Sequence, residues 1–348
     1  MKKIFKIVNK LKKGDKIAII SPSFGAPAQW PEVFEIGLTR LKQEFGLEPV
    51  LFPSTTKKNA STEERARDIL AAFSDPQIKG VMATLGGNDQ VTYIKDLQEG
   101  VFKDNPKPFF GFSDNTHLIN HLWLCGVPSY YGASLFTQIA MPGKIDSFTK
   151  YYLDKAFFKF ELIQLQASTY HSEYSSTNWD DVTTMDEERS FIDNLGWHWD
   201  GHSDTNGITW GGCLESIDEI LRHGIDIPDI EEFKDIVLVL ETSEEVPDHS
   251  YVFRVLRALG ERGFLGAVNG VLVGRPDTFS LDSSVPHEWR EEYRTKQIET
   301  VLDTVRRYNQ SCPIIQNLDI GHTHPQIALP IGREILISST KKSIQAYF

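Results

Sequence analysis

Pro108-Phe109-Phe110-Gly111-Phe112-Ser113-Asp114-Asn115-Thr116-His117 is the stretch on which the reading of this 348-residue chain turns. Lys107 to Phe112 is short, apolar and aromatic, as a buried strand is. From Asp114 onward, Leu118, Ile119, Leu122 and Leu124 make a helical apolar stripe that Gly126 closes, with Pro128 beyond. Ser113 therefore falls at the corner where a strand becomes a helix. A hydroxyl there stands clear of the sheet, and the free N–H groups of the helix face any negative charge that develops beside it. That placement suits a nucleophile. It also suits an N-cap, for which Ser, Asp and Asn are favoured, and on this stretch alone the cap is the simpler reading.

The chain before this point alternates strands and helices. Lys16-Ile17-Ala18-Ile19-Ile20 reads as a strand broken by Ser21-Pro22-Ser23-Phe24-Gly25. A helix over 31–45 follows, then a strand at Glu48 to Phe52. Ser61-Thr62-Glu63-Glu64 is a capping box for a helix to about Phe73. Ile78 to Leu85 is a strand ending in Gly86-Gly87-Asn88-Asp89, and a helix is expected over about 90–97. Such alternation implies a doubly wound parallel sheet with its ligand site beyond the carboxyl ends of the strands. Pro22-Ser23, Gly86-Gly87 and Ser113 all lie at such ends, so their loops are expected to share one crevice.

From about Leu162 to Thr205 the chain is polar, with weak periodicity and with Trp179, Trp197 and Trp199. This reads as a linker plus an irregular excursion, or as short strands of a second domain, its tryptophans packed rather than exposed. Order returns at Gly207-Ile208-Thr209-Trp210-Gly211-Gly212. The helix Leu214 to His223, the apolar strand Ile236 to Leu240, the strand Gly270 to Arg275, and a helix from Pro286 to Tyr308 follow. A short strand at Pro313 to Ile315 precedes two closing strands, Gln326 to Pro330 and Arg333 to Ser338. The expected organisation is α/β throughout: residues 1–160 as a Rossmann-like domain, 161–206 as a linker or irregular excursion, and 207–348 as a second α/β domain.

Composition limits the function. A net charge of -12 argues against a general nucleic-acid or anionic-membrane surface. No apolar run approaches the roughly 20 residues that span a bilayer, and Lys10, Lys12, Lys13 and Asp15 interrupt any signal-like segment. Cys125, Cys213 and Cys312 show no paired spacing and read as buried thiols. A soluble cytoplasmic protein is expected.

Three polar residues stand at comparable places. Ser113 and Glu241 directly follow apolar strands, and His322 follows a glycine near the end of a short one. Serine needs a base to take its proton, histidine is the usual base, and a carboxylate on the far imidazole nitrogen fixes the tautomer. The set is chemically complete. Each member also has a bland reading: a cap, a helix-start acid, a turn histidine. Oxyanion donors are sought at the Asp114 N–H and at Gly86 and Gly87, whose backbone can approach a substrate closely. Neither G-x-x-x-x-G-K-[ST] nor G-x-G-x-x-G occurs, which leaves nucleotide cradling weakly supported. Asn115 stands where the G-x-S-x-G elbow has its second glycine, against an ordinary α/β-hydrolase. His117 and His121 are four apart, as are His198 and His202, but Leu118 stands where H-E-x-x-H has its glutamate, and no metal is expected.

In this order, Ile17 to Ser23, Arg65-Ala66-Arg67-Asp68-Ile69-Leu70 with Asp75-Pro76, Leu85-Gly86-Gly87-Asn88-Asp89, Gly111 to Thr116, Glu241-Thr242-Ser243-Glu244 and Gly321-His322-Thr323-His324-Pro325 with Leu329 to Gly332 resemble the serine LD-carboxypeptidases. The Gly-Gly-Asn-Asp and Glu-Thr-Ser-Glu versions are more similar to the microcin C immunity branch than to the branch that trims murein tetrapeptides. The resemblance implies Ser113 as nucleophile, His322 as base with Glu241 orienting it, and backbone oxyanion donors at Gly87 and Asp114. It implies an active site in a groove between the two domains, a homodimer, and a substrate that is a small peptide or a peptide–nucleotide conjugate; no cofactor is expected. If the latter, Trp179 and then Trp210 are the expected stacking residues. Within Gly321-His322-Thr323-His324, the Gly-His pairing favours His322 over His324. The alternatives are a non-catalytic small-ligand binding protein using the same crevice, and a nucleotide-dependent enzyme.

Overall fold

Ile17, Ala18, Ile19 and Ile20 of the strand Lys16–Ile20 (β1) are all buried, as in a strand covered on both faces. In the computed structural model, which describes residues 3–172, 178–279 and 284–348, Glu48–Leu51 (β2), Ile78–Ala83 (β3), Phe109–Gly111 (β4) and Ser129–Tyr131 (β5) join it. Their order is β5-β4-β3-β1-β2, with every neighbour parallel. Helices Pro31–Phe45, Thr62–Ser74 and Thr116–Leu124 lie between successive strands. The Ser61 capping box is formed in both directions, Glu64 N to Ser61 Oγ and Ser61 N to the Glu64 carboxylate.

The helix expected over 90–97 is instead two 3-10 turns, Gln90–Thr92 and Ile94–Asp96. Tyr93 leaves helical geometry at φ -132°, and its buried hydroxyl is donated to the Pro22 carbonyl. Anchoring of one side chain here overrides a helical pattern.

The middle segment does more than link. Leu162–Gln164 (β6) and His198–Asp200 (β9) become the two edges of a second sheet, while Tyr170–His171 (β7) and Ile192–Asp193 (β8) pair with each other. Residues 173–177 of this segment lie outside the described residues. The second sheet continues with Thr205–Cys213 (β10), Ile236–Glu241 (β11), Gly270–Gly274 (β12) and Ile314–Leu318 (β13), all parallel. Leu329–Ile331 (β14), Glu334–Ser338 (β15) and Ser343–Tyr347 (β16) follow. The order is β6-β16-β15-β10-β11-β12-β13-β9. β16 has no counterpart in the sequence reading, which ended the chain's strands at Ser338. β14 leaves the second sheet altogether and pairs antiparallel with β5 at the edge of the first. The helix read from Pro286 is α-helical only over Arg290–Tyr308.

Trp197 and Trp199 pack against the core, and Trp197 Nε1 donates to Asp319 at 3.1 Å. The buried Asp319 carboxylate also takes the Arg275 guanidinium and the Ser168 N–H. One carboxylate thus ties the middle segment to β12 and to the loop after β13. All three cysteines are buried free thiols. Among the described residues no helix is long and apolar enough to cross a membrane.

Candidate active site

The loops at the carboxyl ends of β1, β3 and β4 do meet. Phe24 N donates to the Gly86 carbonyl at 3.1 Å. The Asp114 carboxylate accepts from Ser23 Oγ at 2.5 Å, Asp89 N at 3.0 Å and Gln90 N at 3.1 Å. An acid at the start of a helix is here the staple that joins the loops.

Ser113 is not an N-cap of the helix Thr116–Leu124, which has Asn115 before it. It sits at φ 63°, in the left-handed region. For a residue with a Cβ this costs about 1–3 kcal/mol, and such strain collects at functional sites. Its surroundings enforce it. Ser113 N donates to Tyr131 Oη at 3.2 Å, and Asn115 Nδ2 donates to the Phe112 carbonyl at 2.9 Å. Gly86 presses from the other side: a Cβ there would lie 2.7 Å from Ser113 Cβ and 2.8 Å from its Oγ. Gly87, at φ 149°, has no room for a Cβ beside Ser23 Oγ. The pair is thus small because the Ser113 corner and the first loop occupy the space.

Glu241 ends β11 and is 1% exposed. Its Oε2 lies 2.7 Å from His322 Nδ1, and its Oε1 accepts the hydroxyl of Tyr131. Gly321, at φ 90°, lets the turn pass over this carboxylate, since a Cβ there would fall 2.2 Å from Oε2. Phe112 rests against the His322 ring with centroids 4.9 Å apart. Burial disfavours the charged form of His322, but Glu241 and then Glu244 outweigh it and hold the ring's pKa well above the usual value.

Tyr131 is the residue that sequence reasoning missed. Fully buried on β5, it accepts from Ser113 N and donates to Glu241, and so bridges the Ser113 corner to the acid. Burial first, and then the charge of Glu241, push its phenol well above its ordinary pKa, so it remains a donor. Its only sequence signal is an aromatic pair after Pro128, which also reads as core.

The remaining expectations divide. Ser113 has no hydrogen bond to His322. The His322 Nε2 instead meets a Glu244 carboxylate oxygen at 3.0 Å. His324 is buried 7% exposed, with no partner on Nδ1. Trp210 is corrected to a core residue: it is 0% exposed, edge-on to Phe233, and has no ring face open to a ligand. Trp179 is half-buried beside Trp30 (4.9 Å) and Phe136 (5.4 Å), and Trp30 in turn lies 5.7 Å from Phe24 next to the glycine loop. His117 and His121 do not share a partner: His117 Nε2 faces Glu219 at 3.0 Å, and His121 Nδ1 faces Asp226 at 3.2 Å. Asp114, His117 and Glu219 do gather their ligand atoms within 4.8 Å of one another.

The arrangement matches known proteins along its length. The LD-carboxypeptidase N-terminal domain profile matches residues 17–132, and the C-terminal domain profile residues 206–337. A putative carboxypeptidase of Treponema pallidum (strain Nichols) is 28% identical over 96% of this chain and 93% of its own. The microcin C7 self-immunity protein MccF of Escherichia coli is 24% identical over 95% and 92%. A probable murein peptide carboxypeptidase of Bacillus subtilis (strain 168) is 24% identical over 99% and 96%. The crystal structure of an MccF-like protein from Streptococcus pneumoniae in complex with AMP superposes with a TM-score of 0.84 at 25% identity, covering 96% of this chain and 98% of that one. With both halves of the chain matched and the whole length covered by such relatives, this chain belongs to the LD-carboxypeptidase family.

Proposed function

We propose that this chain is a serine peptidase that hydrolyses an amide bond near the C-terminus of a small peptide or peptide–nucleotide conjugate through an acyl-enzyme on Ser113. One observation carries the reading: a strained serine at a strand–helix corner is linked through Tyr131 to a buried Glu241–His322 pair. In the proposed reaction His322 Nε2 takes the Ser113 proton as Oγ bonds to the scissile carbonyl carbon. The backbone N–H groups of Gly87 and Asp114 receive the oxyanion. Collapse of the tetrahedral intermediate breaks the C–N bond, and His322 returns the proton to the leaving nitrogen. Water, activated by the same imidazole, then cleaves the ester. Glu241 keeps Nδ1 protonated throughout and stabilises the cation. For the attack, Nε2 must exchange Glu244 for the serine hydroxyl.

Trp179, at the outer end of the Phe24–Trp30 aromatic wall, is the proposed stacking surface for a base if the substrate carries one. A homodimer belongs to the same proposal, and light scattering on the purified chain tests it. The deciding experiment is turnover of an L,D-tetrapeptide and of an aspartyl-nucleotide analogue by the parent and by Ser113→Ala. The variant is expected to fold with an unchanged melting transition and to fall about a millionfold, to background. Full activity in Ser113→Ala refutes the proposal.

A further inference from the structure

We infer that Arg189 is a specificity-determining residue that receives the terminal α-carboxylate of the residue to be released, so that the chain selects peptides ending in a free acid. The inference deepens the serine peptidase reading above and rests on it.

The middle segment carries this arginine to the turn that holds His322. Ile192 of β8 pairs with His171 of β7, and Ser172, the next residue, donates its N–H to the His324 carbonyl at 2.9 Å. Arg189, three residues before Ile192, is thereby brought alongside that turn. Its charge reaches the His324 ring, and Asp277, which it also faces, reaches His322. Arg189 arrives there without a partner. Among the described residues its buried Nε has no hydrogen bond. Asp277 attracts it by charge alone, and burial outweighs that attraction and lowers the guanidinium's pKa to about 10. Arg189 also lines a cavity of about 320 Å³. The other charged groups in that wall are satisfied: Lys144 meets Glu188 at 2.8 Å, and Asp146 accepts the Tyr170 hydroxyl at 2.8 Å. A guanidinium withdrawn from water with open donors is unfavourable until an anion reaches it. Its planar fork of N–H groups fits a carboxylate with two parallel hydrogen bonds.

The chemistry of release calls for such a cation. In the proposed reaction the scissile nitrogen takes its proton from His322 Nε2, so it comes within hydrogen-bonding distance of that atom. The terminal carboxylate of a peptide is two bonds beyond the nitrogen, its oxygens roughly 3–4 Å away. It must therefore be accommodated close to His322. The charges already there are negative: Glu244 lies 3.0 Å from Nε2, Glu241 holds Nδ1, and Asp277 is in electrostatic reach. A carboxylate entering among three acids is repelled unless a positive group faces it. Arg65 is engaged by Asp89, and Arg275 by Asp319. Arg189 supplies the uncommitted charge.

The test measures kcat/KM for an L,D-tetrapeptide ending in D-alanine and for the same peptide with its terminus amidated, in the parent, Arg189→Ala and Arg189→Lys. The parent is expected to prefer the acid by about 100-fold. The acid-to-amide ratio is expected to fall about 100-fold in Arg189→Ala. In Arg189→Lys, which keeps the charge and loses the fork, it is expected to fall about tenfold; this variant also decides the matter should Arg189→Ala fold poorly. A merely structural role would slow both peptides alike and leave the ratio in place. A ratio unchanged in both variants, or a parent indifferent to amidation, overturns the inference and, with Ser113→Ala inactive, leaves the peptidase reading intact. So does a parent that cleaves only the aspartyl-nucleotide analogue. Turnover of neither the peptides nor that analogue overturns both.

Discussion

Tyr131 holds together groups that arrive from opposite halves of the chain, and its hydroxyl has two distinct duties. It receives the Ser113 N–H, which keeps the serine in its left-handed geometry, and it gives its own proton to Glu241. Tyr131→Phe removes both. A hydrogen bond to a charged group contributes about 1.5–3 kcal/mol, so kcat is expected to drop by about 10- to 100-fold. Without the phenol, Glu241 pulls harder on the imidazolium proton, and the acid limb of the pH–rate profile should move upward. Steady-state kinetics across pH checks both, and an unaltered profile would remove Tyr131 from the mechanism. Ser113, Glu241 and His322 can be picked out in the sequence because each is the first polar residue or close to it at the end of an apolar strand, while the 2.7 Å contact of Glu241 with His322 appears only in the fold. Tyr131 cannot, because an aromatic in a three-residue strand looks like core until its hydroxyl is given a partner. Glu244 was quoted only as part of a motif; nothing in the order of residues says that its carboxylate folds back onto His322.

Among the elements, strongly patterned ones were read well and short ones poorly. The helix Thr62–Ser74 announced itself through Ser61 and Glu64, and the interlocked cap is present. Ser61→Ala should destabilise the chain by about 1 kcal/mol, seen as a lower urea midpoint with an unchanged slope. A midpoint equal to the parent's would show that the cap is redundant with packing. β5 and β16 escaped notice for different reasons. Ser129–Tyr131 is too short to show a period, and Ser343–Tyr347 alternates buried and open positions just after a Lys-Lys turn, close to the terminus. The excursion between the halves has no pattern of its own because its order is borrowed: Asp319 and the edges of the second sheet supply its partners.

At the scale of the whole molecule, the two sheets are joined by contacts that sequence periodicity does not encode. One of them titrates. His121, on the helix after Ser113, faces Asp226 beyond the helix Leu214–His223. Burial opposes its charge, but Asp226, with Cys125 adding, outweighs burial and raises its pKa from 6.5 to about 9. The folded chain thus binds this proton more tightly than the unfolded chain. The stabilisation is full below 6.5 and is lost as pH rises through about 9. Thermal melts should show the parent losing about 2–4 °C more than Asp226→Asn over that interval. Parallel curves for the two proteins would rule this linkage out.

The placement of β14 sets a timetable for biosynthesis. The sheet that carries Ser113 keeps an unpaired border along β5 until Leu329–Ile331 leave the ribosome, long after Tyr131. Glu241 and His322 also emerge long after the serine. A nascent or prematurely terminated chain is therefore a molecule with an open, aggregation-prone strand, in which Ser113 still lacks the company of Glu241 and His322. Closure of the first sheet thus waits for a strand that the second half of the chain must deliver.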